Sequence, residues 1–440
     1  MKNFGTRHSF RRRRIVCRQK NDRQGRGISS DAHRKLGWGR YSRQRMANLD
    51  YITAGESHGP AMLAIVSGLP AGLTIDMHLI NAELRRRQGG FGRGGRQRIE
   101  TDFAEPLTGL KLGVTIGSPL TFKIANKDNR LDDPTKTPPL RTPRPGHADL
   151  AGSIKYLTTD CRDVLERASA RETAARVAAG AAASCLLARF GITAFGFVRS
   201  VHQVRTDVVP SEATLPELVA RRDASDTFCP DAEATERQKD MIRQAGMERS
   251  TVGGLVECHV FGLPPGIGSC MDWRDRLDAR IAYAVMGIQA FKAVEIGLGV
   301  ETASRFGHEV HDPIRFDSRQ ADTHNLGFVR DSNNAGGTEG GMTNGSPLVV
   351  RGTMKPISTL LRGMPSVNLA TGEAASSDYE RSDISAVSAA SVVIQHVVAF
   401  EVARAMRVKF GGDSLGEMQT QLEGYLHAAR ALRLGGSANV

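Results

Sequence analysis

Leu49-Asp50-Tyr51-Ile52-Thr53-Ala54-Gly55-Glu56-Ser57-His58-Gly59-Pro60-Ala61-Met62-Leu63-Ala64-Ile65-Val66 is the stretch whose reading decides the fold. By pattern, Gly55–Gly59 fits G-x-S-x-G, the elbow that exposes a nucleophilic serine between a strand and a helix. Here the residues after Pro60 form a short apolar run closed by Gly68, Pro70 and Gly72, which reads as a strand rather than a helix. The elbow therefore fails its own context. What remains is a Ser-His turn bounded by glycines between two short strands. The same alternation of apolar runs with Gly and Pro turns continues to Pro119 and predicts antiparallel strands, interrupted by one helix near 79–88.

Composition sets the outer limits. With 440 residues, 40% hydrophobic content and 47 glycines, a globular, turn-rich chain with a sizeable core is expected. The formal charge of +12 is unevenly placed. Residues 1–45 carry 15 Lys and Arg against only Asp22 and Asp31, a balance of +13, which leaves −1 for everything after them. This Arg-rich, aperiodic extension is expected to be disordered, with residues 46–440 forming a single catalytic domain. Nucleic-acid binding through residues 1–45 and the Gly/Arg loop is the alternative function, and the near-neutral body disfavours it. The six cysteines show no C-x-x-C pair and no zinc spacing, so buried free thiols in a reducing compartment are expected, with no metal. The long uncharged runs at 57–75 and 384–400 are broken by Pro and Gly or contain Gln395 and His396, against the roughly 20 apolar residues of a membrane span. A cytoplasmic protein without a membrane partner is the expectation.

Further along, Arg85–Arg98 holds five glycines beside six arginines, too many glycines for a helix or a core strand. A mobile cationic loop suited to a phosphate or carboxylate is expected there. His147 follows Arg144 in a polar, Pro-rich segment. Ser169-x-x-Glu172 before an Ala-rich run has the form of a capping box, and Arg167 and Arg171 at that helix start make sense where an anion binds. A second glycine-rich run, 333–345, is expected to bring backbone amides close to a ligand. Arg381-Ser382-Asp383 heads an Ala/Val/Ser-rich helix to about residue 409. Together these features predict an enzyme for a strongly anionic small molecule, with His and Asp as proton handlers.

Gly55–Gly59, Arg85–Arg98, Arg144–Asp149, Arg167–Thr173, Gln289–Glu295, Asn333–Gly345, Lys355–Thr359 and Arg381–Asp383 resemble the chorismate synthase family in order and spacing, from about residue 49 to 420. The resemblance implies an α+β fold in which antiparallel sheets enclose helices, usually as a homotetramer. It implies a lyase that converts 5-enolpyruvylshikimate 3-phosphate to chorismate and phosphate by a 1,4-anti elimination dependent on reduced FMN, with NADPH as a candidate reductant. Carried over residue by residue, His58 protonates the departing phosphate, His147 protonates or holds the reduced flavin, and Asp383 helps remove the C6 proton. Ser57, Arg87, Arg93, Arg144 and Arg171 are the implied substrate or NADP contacts. Arg167, Ser169, Gln289, Ala290, Gly340, Lys355, Pro356, Ile357, Ser358, Thr359 and Arg381 are the implied FMN contacts.

The chain departs from the usual family pattern at Ala168, Arg249-Ser250, Ile384-Ser385 and Gln395-His396. These departures motivate a further alternative, a non-catalytic paralogue. All the proton-handling candidates are nevertheless present, which favours an active enzyme.

Overall fold

The computed structural model describes residues 49–95, 100–377 and 383–432. The basic extension at 1–45 and Arg381 lie outside the described residues.

The described residues open with a hairpin. Strands β1 (Asp50–Ala54) and β2 (Ala61–Ser67) pair antiparallel, with Tyr51 opposite Val66 and Thr53 opposite Ala64. Period-two alternation buries Met62, Ala64 and Val66 of β2 on one face. The connecting turn requires glycine at 55. Its φ is 106°, and a β-carbon there would collide with the carbonyl of Ala61. Helix α1 (Met77–Gln88) follows, capped by Asp76, whose carboxylate accepts from the amides of His78 and Leu79. Strands β3 (Ala104–Thr108) and β4 (Leu120–Ala125) complete an antiparallel sheet in the order β1-β2-β4-β3.

The next part of the chain supplies α2 (Asp149–Tyr156), α3 (Arg162–Ala168) and α4 (Thr173–Ala188). A second antiparallel sheet is built from β5 (Thr193–Val201), β6 (Gly254–Phe261), β7 (Phe291–Ile296) and β8 (Leu348–Met354). Its order is β7-β8-β6-β5, with the short Val204–Arg205 segment on the edge. The polar excursion between β5 and β6 contains α5 (Leu215–Ala224) and α6 (Ala232–Met247), and α7 (Leu277–Met286) precedes β7. Leu218 of α5 packs with Phe195, Phe197 and Phe261 on the outer face of this sheet. Finally α8 (Val387–Phe410) and α9 (Leu415–Ala431) close the described chain.

Helices α4 and α8 form the middle layer. α8 packs on α4 and against β5 and β6, while α4 packs on α1 and β2. An ordinary surface helix shows one apolar stripe, whereas a helix enclosed on all sides is apolar all round. α8 is the second kind: Val392, Ile394, Val398, Phe400 and Val402, spread around its axis, are all buried. Its length and composition would suffice to cross a membrane, but here it is a core helix. The departures Gln395 and His396 sit on it and tie it to its neighbours. Gln395 Oε1 accepts from the Gly196 amide of β5 and from Arg86 of α1, both at 2.9 Å. His396 Nε2 lies 2.8 Å from Glu83 of α1.

The Ala-rich face of α4 lets α8 approach closely, and Gly180 marks the tightest point. A β-carbon there would collide with the backbone carbonyl of His396. Gly180→Ala is therefore expected to lower the unfolding free energy by about 1–3 kcal/mol, the cost of overpacking a filled core. Gly424 in α9 faces open space, so Gly424→Ala is expected to raise it by up to about 1 kcal/mol. Denaturant titration of both variants checks this, and equal effects would contradict the close-contact reading.

Candidate active site

The ends of both sheets and the N-termini of α4 and α8 bring their loops together around a cavity of about 640 Å³. That lies within the roughly 300–1,000 Å³ of small-molecule sites. Two helix N-termini opening into one cleft favour an anionic occupant. Ser57, His58, Arg87, Arg93, Arg144, His147, Ser169, Arg171, Gln289, Ala290, the segment 355–359 and Asp383 all line it. Ala168, the departure beside Ser169, is also at the wall.

Beneath the arginines lies the buried carboxylate of Asp102, with buried Glu100 3.8 Å from Arg171 Nη2. Asp102 Oδ2 accepts from Arg87 Nη2 at 2.6 Å, and its Oδ1 accepts from Arg171 Nη1 at 2.5 Å. Burial by itself would raise the Asp102 carboxyl, but the two guanidinium groups outweigh it and hold it below the usual carboxylate range. Arg171 Nε also donates to Asn126 Oδ1 at 2.8 Å, and Asn126 in turn donates to the carbonyl of Gly59 at 2.8 Å. The arginines and the Ser-His turn are thus joined by one chain of hydrogen bonds.

His58 is buried in that turn. Its Nδ1 lies 2.9 and 3.1 Å from the two carboxylate oxygens of Glu166 in α3, and its amide donates to Glu166 Oε2 at 2.7 Å. The amide of Ser57 donates to the Glu166 carbonyl at 2.9 Å. On the other side of the ring, Nε2 lies 3.3 Å from Arg130 Nη2 and 3.6 Å from Asp128, both at the cavity wall.

His147 is organised in the same way. Its Nδ1 contacts Asp149 Oδ1, and Asp149 also accepts from Arg144 Nε at 2.8 Å. Hydrogen bonds from His147 and Arg144 hold the Asp149 carboxyl well below its ordinary range although burial pushes it up. Arg144 is further fixed by donating to Thr359 Oγ1 at 3.1 Å. Lys355 and Ser358 both donate to the carbonyl of Gly146, which stitches the 355–359 segment to the His147 loop. Asp383 pairs with Arg93 at 2.7 Å and accepts from the Gly94 amide at 2.6 Å.

The glycine/arginine loop, expected to be mobile, is pinned over its described part. Phe91 N–H donates to Asp226 O at 2.7 Å, and Ile384 N–H donates to Gly92 O at 2.8 Å. Ser169 caps a single 3-10 turn (Ala170–Glu172) by accepting from Arg171 N, rather than forming a capping box. Glu172 turns away from it to Thr53, Arg176 and Gln289. Arg167 does not line the cavity; it donates to the carbonyls of Thr53 and Gly55 and so braces the turn carrying His58. Gly340 also falls outside the lining, in a tight hairpin between Thr338–Glu339 and Met342–Thr343. The charged cleft residues missed from the sequence are Glu100, Asp128 and Arg130 at the wall, with Asp102, Asp149 and Glu166 behind it.

A family model described as chorismate synthase matches residues 49–407. The chain is 51% identical over 394 residues to a chorismate synthase of Geobacter sulfurreducens, covering 87% of this chain and 100% of that protein. It is 48% identical over 387 residues to one of Desulforamulus reducens, covering 85% and 97% respectively. A solved structure described as a crystal structure of chorismate synthase aligns with a TM-score of 0.70 and 38% identity, covering 88% of this chain and 99% of its own.

Asp102 binds a proton less readily folded than unfolded. Its stabilising contribution is therefore present above an unfolded value of about 3.9 and is lost as pH falls from there through the lower folded value. Asp102→Asn strands two buried guanidinium groups. It is expected to lower the unfolding free energy at pH 7 by about 3–5 kcal/mol and to flatten the loss of stability below about pH 4. Denaturant unfolding at pH 7 and along an acid series measures both effects.

Proposed function

The chain belongs to the chorismate synthase family, and we propose from that premise how its cleft carries the reaction. The protein is a lyase that converts 5-enolpyruvylshikimate 3-phosphate to chorismate and phosphate, the final step of the shikimate pathway toward aromatic amino acids. The family uses a reduced flavin. One observation carries the assignment of residues. His58, His147 and Asp383, far apart in sequence, line one cavity with Arg87, Arg93, Arg144 and Arg171.

The substrate bears a phosphate and two carboxylates, so binding demands several cations in one place. Arg87 Nε, Arg93 Nε and Arg171 Nη2 are buried at the wall without a hydrogen-bond partner among the described residues, which leaves donors for those anions. We assign His58 to deliver a proton from Nε2 to the departing phosphate, with Ser57 beside it. Asp383, oriented by Arg93 and the Gly94 amide, takes the ring proton. His147 meets both Asp149 Oδ1 and Arg144 Nη2 at Nδ1, the latter at 3.0 Å, and we assign this ring to hold the reduced flavin.

The residues fit a flavin. Gln289 Oε1 is a buried acceptor without a hydrogen-bond partner among the described residues, and Ala168, Ala170, Ala290, Met354 and Ile357 supply apolar wall to the same cavity. Ser169, Gln289, Ala290 and 355–359 are the residues we propose to hold it; Arg381, the other FMN contact the resemblance implies, lies outside the described residues. When bound, reduced FMN supplies electron density to the breaking C–O bond. NADPH is proposed as its reductant. A cytoplasmic setting agrees with free Cys161, Cys185, Cys229 and Cys258 in the interior. A homotetramer agrees with exposed Trp273, Tyr283, Ile314 and Phe316.

Phosphate release from the enolpyruvyl substrate under anaerobic conditions is expected to require photoreduced FMN, and turnover with oxidised or no flavin would refute the reading. NADPH with oxidised FMN is expected to support turnover, and failure removes NADPH as reductant. His58→Ala and Asp383→Ala are each expected to lower kcat by roughly 10²-fold or more; near-native rates would remove their roles. A chain beginning at Met46 is expected to keep the full rate and to elute as a tetramer in light-scattering chromatography.

A further inference from the structure

We propose that Glu166 is a positioning residue for His58, fixing a proton on Nδ1 so that Nε2 alone faces the cleft and delivers the proton. The inference rests on the reading of His58 as proton donor to the departing phosphate. Glu166 does not line the cavity, so it acts through the histidine.

The geometry is unusually complete. A side chain 108 residues away holds the ring nitrogen at 2.9 Å and the backbone amide of the same residue at 2.7 Å, while its own carbonyl holds the amide of Ser57. Ring and backbone are therefore fixed together, and rotation of the imidazole would break the first contact. The Glu166 side chain is only 2% exposed, and Arg162 stands 3.9 Å away. Burial would raise its carboxyl, but hydrogen bonds from His58 hold it below the usual range. An ionised carboxylate only accepts hydrogen bonds, so Nδ1 carries the hydrogen. In the neutral ring, Nε2 is then the acceptor, facing the Arg130 guanidinium at 3.3 Å. In the imidazolium, Nε2–H is the one proton directed at the cleft. Its transfer to a phosphate oxygen returns the ring to the neutral Nδ1–H form without reorientation, and solvent restores the proton after product leaves. A carboxylate behind a proton-handling histidine fixes tautomer and orientation in this way in hydrolytic triads as well. At His147 the carboxylate of Asp149 shares Nδ1 with Arg144 Nη2 at 3.0 Å, so the contact at His58, made to Glu166 alone, is the more exclusive of the two.

The test begins with the unsubstituted protein. In ¹⁵N-histidine-labelled enzyme at high pH, neutral His58, assigned by loss of its signals in His58→Ala, is expected to carry its hydrogen on Nδ1. A hydrogen on Nε2 overturns the proposal and needs no variant to fold. Glu166→Gln, which can donate as well as accept, is expected to lower kcat by about 10²-fold or more while KM stays within about three-fold. It is also expected to populate the Nε2–H tautomer. Glu166→Asp, which restores the charge, is expected to recover the Nδ1–H tautomer and at least about ten-fold of the lost rate. In a His58→Ala background, Glu166→Gln is expected to cost nothing more. Glu166→Gln with a near-native kcat, or an additive loss in the double variant, overturns the proposal. If His58→Ala itself turns over normally, it is the reading of His58 as donor that has failed.

Discussion

Asp102 is the constraint on which the rest of the site depends. Two guanidinium groups held at one wall repel each other, and both are buried. A single carboxylate inserted behind them turns that repulsion into two charge-assisted hydrogen bonds of 2.6 and 2.5 Å. It orients the arginines and leaves Arg87 Nε and Arg171 Nη2 without a hydrogen-bond partner among the described residues, with Glu100 3.8 Å from the latter. Such a pair contributes little net stability, because the desolvation of its ions nearly cancels their attraction. Its value here is in position. Arg87 ends a helix of the first sheet's layer, Arg171 begins the central layer, and Asp102 precedes β3. One interaction sets three segments in register at the floor of the cleft.

The central helices explain why the loops meet where they do. α4 and α8 are packed against each other and open their N-terminal ends to the same cavity. A helix enclosed by two sheets has few ways to adjust its depth, so the residues just before it are placed by the packing of the whole core. Ser169 and Arg171 owe their positions to α4, and Asp383 and Ala386 owe theirs to α8. The positive helix ends add to the arginines, and the cleft acquires a field suited to a ligand with several negative charges.

Much of this was legible in the sequence, and the parts that were not share a cause. The strand β2 follows from period-two burial between breakers, which also removes the serine-nucleophile reading of Gly55–Gly59. The long central helix follows from an apolar run with no polar face. Cleft arginines and histidines stand out by their company, several arginines and two histidines in glycine-containing turns of one chain. Their carboxylate partners do not stand out. Glu166 is 108 residues from His58, and Asp102 is 69 from Arg171, so no local spacing couples them. The run 333–345 shows the reverse difficulty: glycine density signals tight turns as readily as close ligand approach, and at Gly340 it makes a hairpin. At Ser169 and Glu172 the capping pattern was present, but Thr53, Arg176 and Gln289 compete for the glutamate.

The layering of α8 has a consequence in time. The cavity draws on residues from Ser57 to Ala386, and the helix that supports the second sheet follows every strand of both sheets in the chain, so it leaves the ribosome after them. Until it arrives, the inner face of the second sheet has nothing to rest on, and α4 lacks its partner. Contacts between such distant parts of a chain form late, because a long loop must close before they repay its entropy. The half-made protein therefore exposes apolar sheet surface, the kind of surface through which incomplete chains aggregate. Completion of one buried helix ends that exposure and finishes the cleft in the same event.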